Sequence, residues 1–150
     1  MPAVSPIAPP QLADCNCLAL RCAGRAVTQF YDRHLAPSGL RSTQYSILAA
    51  LRQGGPMAIH TLAAMLQMDR TTLGRNVLPL QRDGLVELAP VDADRRRKNL
   101  RLSPLGTKRL RAAQPAWHAA QQAFETRYGA DRARALRELL RAVALDTTVS

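Results

Sequence analysis

The residues best suited to chemistry fall into two clusters. One is cationic: Arg95, Arg96, Arg97 and Lys98 stand side by side, and Arg70, Thr71, Thr72, Arg75, Asn76 and Arg82 precede them. Four adjacent cations repel one another unless something anionic neutralises them. Arginine's planar fork matches phosphate oxygens and guanine edges, so nucleic acid is the leading partner. The other cluster is thiol: Cys15, Cys17 and Cys22 lie close together near the start of the chain. At a helix N-terminus a cysteine is favoured as the thiolate, the form that attacks peroxides, whereas the competing reading makes these cysteines small buried apolar residues. On a helix Cys15 and Cys17 point about 200° apart, and Cys15 and Cys22 lie roughly 10 Å apart, so a bridge would join subunits or need fraying. No metal is expected, because the Cys-x-Cys spacing is short and His34, His60 and His118 are scattered. No cofactor is expected either.

The totals agree with the cationic cluster. The 150 residues suit one domain and carry 21 Lys plus Arg against 11 Asp plus Glu, a net charge of +10. All of those cations except Lys98 and Lys108 are arginine. Neither a membrane-spanning apolar run nor a signal peptide is legible, so a cytoplasmic protein with no membrane partner is expected.

These side chains need elements to position them. Residues 1–13 carry Pro2, Pro6, Pro9 and Pro10 and are expected to form a disordered, non-helical arm ahead of a single domain, residues 14–150. Leu20, Val27, Tyr31 and Leu35 recur at helical spacing beside a second stripe of Leu18, Cys22, Ala26 and Phe30. That predicts a first helix capped by Asp14 and buried on two faces. Ser42 or Thr43 should cap a second helix ending at "GGP". Met57 to His60 reads as a short extended piece, Thr61 as the cap of a third helix, and Asp69 as the cap of a fourth that Gly84 closes. The last two make a helix-turn-helix.

On the fourth helix Leu73, Val77 and Leu80 share one arc, while Thr71, Thr72, Arg75 and Arg82 project from the other side. Then "LVELAPV" and "NLRLS" alternate around "DADRRRK", the pattern of a hairpin with its cations at the tip, where Asp94 would hold a guanidinium. Ser103 and Pro104 open a long helix through Leu105, Trp117, Phe124 and Tyr128 that Pro115 should bend, and Asp131 should cap a last one. The expected fold is mainly α with a small β-wing: a winged helix-turn-helix at about residues 41–103 between helical segments at about 14–37 and 104–147.

With these motifs in place, the chain resembles the MarR family of winged helix-turn-helix regulators. "DRTTLGRNVLPLQRDGLVE" is similar to their recognition helix and following strand, and "DRRRKNLRLSPLG" to their wing, with Asp94 and Ser103 at the family's spacing. The resemblance spans about residues 14–147 and implies a homodimer, formed by the first and last helices, that binds double-stranded DNA at a pseudo-palindromic operator. Two-fold symmetry also fits physically, since paired recognition helices match half-sites about 34 Å apart. Pro79 inside the recognition helix and the close pair Asp92 and Asp94, implying a shorter wing tip, depart from many members.

The segment from Cys17 to Tyr45 further resembles the OhrR-like, organic-hydroperoxide-sensing branch. That likeness implies Cys17 as reactive thiol and Tyr45 as its hydrogen-bond partner, with Cys15 and Cys22 nearby. Ser42 and Arg21 stand where further aromatics are expected, so the likeness is partial. The other signal the family implies is a small organic effector, with Cys17, Arg21, Tyr31, Tyr45 and Trp117 as candidate pocket residues. Arg21 would meet a carboxylate ligand or pair with a neighbouring acid. The expectation is therefore a non-enzymatic, dimeric transcriptional repressor released by oxidation or by a ligand. The alternatives are a thiol-dependent peroxidatic enzyme and a basic protein coating nucleic acid without sequence preference.

Overall fold

A computed structural model describes residues 10–91 and 94–147, without the side chains of Pro10, Gln11 and Arg95. The helices are α1 (Pro10–Ala13), α2 (Asn16–Leu35), α3 (Ser42–Gly54), α4 (Ile59–Met65), α5 (Arg70–Arg82), α6 (Pro104–Tyr128) and α7 (Ala130–Thr147), with strands β1 (Val86–Val91) and β2 (Asp94–Leu102) between α5 and α6. The mainly α fold with a two-stranded wing matches the expectation. Among the described residues, no helix is long and apolar enough to cross a membrane.

Helix starts are where sequence and structure part most often. Pro10–Ala13 forms a helical turn where a non-helical arm was expected, because proline at a first helical position gives up only an N–H that has no helical partner. The rest of that arm, residues 1–9, lies outside the described residues. Cys15 rather than Asp14 caps α2, its Sγ accepting from the Leu18 N–H at 3.4 Å. Helix α3 starts at Ser42, so neither Ser42 nor Thr43 is its cap: Arg41 holds the extended cap backbone and donates its N–H to Gln44 Oε1 at 3.0 Å. Asp32 of α2 supplies the carboxylate that receives the Ser42 N–H, at 2.7 Å, and so ties the two helices together.

Helix α4 begins at Ile59 behind Ala58, which offers no side-chain cap, so Ile59 and His60 are helical and Thr61 lies within the helix. The extended piece shrinks to Met57 and Ala58, and Met57 exchanges backbone hydrogen bonds with Leu100 at 2.8 and 3.0 Å, an isolated bridge onto β2. Asp131 sits inside the first turn of α7 instead of capping it, where its charge suits the helix dipole and pairs with Arg134 at 3.3 Å.

The core gathers Leu35, Ile47, Leu48, Leu62, Leu73, Leu80, Leu85 and Val86, each essentially without solvent contact, from α2 to β1. It lies under the helix-turn-helix and the first half of α6, which contributes Leu110 and Ala113. By contrast, α2 buries only Leu35 and α7 only Ala133. A helix apolar on two faces is thus not buried on two faces within one chain. Leu20, Val27, Leu139, Leu140, Val143 and Leu145 all remain exposed.

Two contacts fasten the wing to α6. Ser103, 6% exposed, donates its hydroxyl to the Gly84 carbonyl at 2.6 Å and accepts the Gly106 N–H at 2.9 Å. Gly106 has no side chain for a steric reason, since a Cβ there would lie 2.0 Å from the Leu85 carbonyl oxygen.

Candidate nucleic-acid interface

Helix α5 is built to show one face. Leu73, Val77 and Leu80 are buried, which turns Arg70, Thr71, Thr72, Arg75 and Arg82 to solvent and leaves Asn76 partly exposed. Asp69 sets its start, accepting both the backbone N–H and the hydroxyl of Thr72. These hydrogen bonds, the hydroxyl's first, hold the Asp69 carboxyl below the usual carboxylate range. Thr72 therefore belongs to the cap, with its hydroxyl proton engaged and its hydroxyl oxygen still able to accept. Asn76 likewise donates to the Thr72 carbonyl at 2.8 Å. Among the α5 side chains, Arg70, Thr71, Arg75, Gln81 and Arg82 make no hydrogen bond or ion pair with the described residues.

Antiparallel pairing of Val86 with Leu102 through Pro90 with Lys98 builds the wing, and Glu87 faces Arg101 across it with an ion pair of 3.4 Å. The register shifts between Pro90 and Val91, so that Val91 pairs with Asp94. The four adjacent cations are carried by strand β2, but only Lys98 among them has a partner in the register; Arg95, Arg96 and Arg97 make up the irregularity between the Pro90–Lys98 and Val91–Asp94 pairs, at the distal end of the wing. Arg96, Arg97 and Lys98 are exposed. Arg95 lies in the strand, with its side chain outside the described residues, as is Asp92. Asp94 accepts the backbone N–H of Arg96 at 2.9 Å, and no guanidinium among the described side chains pairs with it. An exposed row of arginine and threonine on one helix, followed in the chain by a hairpin whose second strand carries three exposed cations, can neutralise phosphates and offer forked donors to base edges.

Helices α2, α3 and α6 with the α4–α5 turn border an open cleft of about 370 Å³. Tyr31 and Trp117 line it, as the sequence suggested. Tyr45 lies behind, buried and stacked on Trp117 at 5.8 Å between ring centroids and 6° between planes. Burial raises the Tyr45 phenol above its usual range. Cys17 and Arg21 are exposed and do not line the cleft. The sequence reading missed the hydroxyl residues Thr28, Ser42, Thr43 and Ser46 and the apolar residues Val27, Leu66 and Met68 as lining. They come from segments far apart in the chain, and no local pattern marks them.

Cys22, like Cys17, is exposed, and Cys15 is partly covered by its capping role. All three thiols are free. No group of three or more His, Cys, Asp or Glu is gathered into a metal-binding cluster among the described residues.

A family model described as "MarR family" matches residues 38–97, which span the helix-turn-helix and most of the wing. No curated protein matches. Among solved structures, the chain is similar to the Mycobacterium tuberculosis transcriptional regulator MosR, at 34% identity and a TM-score of 0.75 over 90% of this chain and 97% of that one. A second structure of MosR, in complex with DNA, is 36% identical with a TM-score of 0.74 over 87% and 96% of the two chains. The PcaV transcriptional regulator of Streptomyces coelicolor, in complex with its natural ligand, is 26% identical with a TM-score of 0.79 over 92% and 97%. With a third of its residues shared across nearly the whole length of one such regulator, and with the recognition helix and wing in place, the chain belongs to the MarR family.

Proposed function

We propose that the protein is a cytoplasmic, homodimeric, sequence-specific DNA-binding repressor of transcription, released by a small organic effector. The observation that carries this reading is the two-sidedness of α5: Leu73, Val77 and Leu80 anchor it in the core while Thr71 and Arg75 stay exposed. Arg75 takes the role of reading a base edge in the major groove. Arg96, Arg97 and Lys98, with Arg95, neutralise adjacent backbone phosphates or enter the minor groove. The described face makes no use of catalytic groups, and binding rather than turnover is its chemistry.

Dimerisation is supported by the apolar residues that one chain leaves exposed on α2 and α7, among them Leu20, Leu139 and Val143. Pairing these helices buries them and sets two copies of α5 side by side, at half-sites about 34 Å apart. The DNA-bound MosR and ligand-bound PcaV structures support the two halves of the reading.

Oxidative release is the second reading, favoured by one observation: Cys17 is exposed in the first turn of a twenty-residue helix on the surface where a partner would pack. Selection from random duplex DNA tests the main proposal. It should enrich a pseudo-palindrome bound by a dimer, with affinity falling steeply as salt rises. Enrichment of no site would make the protein a coating one instead. Peroxide treatment of the complex, compared between the native chain and Cys17→Ser, separates the two modes of release.

A further inference from the structure

The lining of the cleft is specific about charge. Resting on its proposed role as the effector site, we propose that its ligand is an uncharged, hydroxyl-bearing aromatic molecule of one or two rings, and not a carboxylate. Hydroxyls make up one part of the wall, from Thr28, Tyr31, Ser42, Thr43 and Ser46. Val27, Leu66, Met68 and Trp117 make up the rest, so among the described residues no lysine, arginine or histidine lines it.

A carboxylate bound in this open cleft would give up part of its hydration without meeting a cation among the lining residues, which is costly. A phenol or alcohol would lose much less. The Oγ atoms of Thr28, Ser42 and Thr43 make no hydrogen bond among the described residues, and each can both donate and accept. Tyr31 already donates its hydroxyl to Gln121, which leaves its oxygen to accept from a ligand. Trp117, held parallel to the buried Tyr45, is a fixed flat surface for an aromatic ring. The volume, near the lower end of the range for small-molecule sites of about 300–1,000 Å³, sets the size at one or two rings.

The cation that a carboxylate reading would use is Arg21. It lies two helical turns before Thr28, about 10 Å along the axis, exposed and outside the lining. The nearest ion pair reached through Tyr31 and Gln121, Arg137 with Glu125 at 3.2 Å, already balances its own charge.

Calorimetric titration of the full chain with 2-naphthol and with 2-naphthoate, one ring system without and with a carboxylate, tests the assignment. The neutral probe should bind at least about tenfold more tightly, and Thr28→Val and Thr43→Val should each weaken it about fivefold, the worth of one hydrogen bond. Ser46→Phe, which fills the cleft, should abolish its binding, with circular dichroism confirming that every variant folds. Equal or tighter binding of 2-naphthoate would overturn the ligand class and leave the effector cleft standing. Binding of neither probe to folded protein would overturn both, as would neutral-probe binding that survives Ser46→Phe.

Discussion

The phenolic oxygen of Tyr31 lies 2.5 Å from Oε1 of Gln121, and this contact joins the wall of the cleft to the carboxy-terminal helices. Gln121 in turn donates to Glu125 at 3.1 Å, and Glu125 accepts from Arg137 of α7 at 3.2 Å. A chain of hydrogen bonds thus runs from the cleft to the helix with the most exposed apolar surface.

The Tyr31 phenol is raised above its usual pKa, chiefly by burial and then by the negative charge of Glu125, with Arg137 opposing. Tyr45 is raised by burial alone. A group with a raised folded pKa stabilises the fold fully below its unfolded pKa and loses that contribution as pH climbs through the folded value. Denaturant midpoints should therefore hold up to about pH 10 and fall above it, and Tyr31→Phe should make the fall shallower. An alkaline limb unchanged in Tyr31→Phe would contradict this assignment.

Asp69 gives the opposite sign. Its lowered pKa, due to Thr72, means that its stabilising effect is present above the unfolded carboxylate pKa and disappears as pH falls through the folded one. Asp69→Asn keeps an acceptor for the cap and should remove that acid-side dependence, whereas Asp69→Ala removes the cap. Hydrogen exchange at the Thr72 amide should quicken in Asp69→Ala and stay near the native rate in Asp69→Asn.

Two glycines should respond in opposite directions. Gly106→Ala drives a methyl group into the Leu85 carbonyl and should cost at least about 2 kcal/mol, because backbone stands in the way. Gly74→Ala, at a site in α5 with nothing within 4 Å, should stabilise the fold by about 0.5–1 kcal/mol. Thermal midpoints of the two variants settle both directions together.

Ser103→Ala should cost about 1–3 kcal/mol, since it strands the Gly84 carbonyl and the Gly106 N–H where the wing meets α6. Ser103→Thr, which keeps the hydroxyl, should recover part of the loss in urea unfolding.

What the sequence made legible was whatever local pattern controls. The three-four spacing of Leu73, Val77 and Leu80, the cap at Asp69 and the glycine after α5 define the recognition helix without reference to the rest of the chain. Alternation around the cationic run likewise gave the wing. Helix starts failed where the cap was not the expected side chain, as at Cys15, Arg41 and Ala58. Bridging of Met57 to Leu100 is long-range and has no local signature. Nor has the cleft, assembled from four separate segments. The exposed face of α2 was read as core because periodicity reports that a face is covered, not whether the cover belongs to the same chain.

The most direct test compares Arg75→Ala and Arg96→Ala on two duplexes at one salt concentration, the selected pseudo-palindrome and an unrelated sequence. Arg75→Ala should lose about 1–3 kcal/mol of affinity for the palindrome alone, erasing the preference, while Arg96→Ala should weaken both duplexes about equally. A preference undiminished in Arg75→Ala would contradict the assignment of α5 as the helix that reads the sequence.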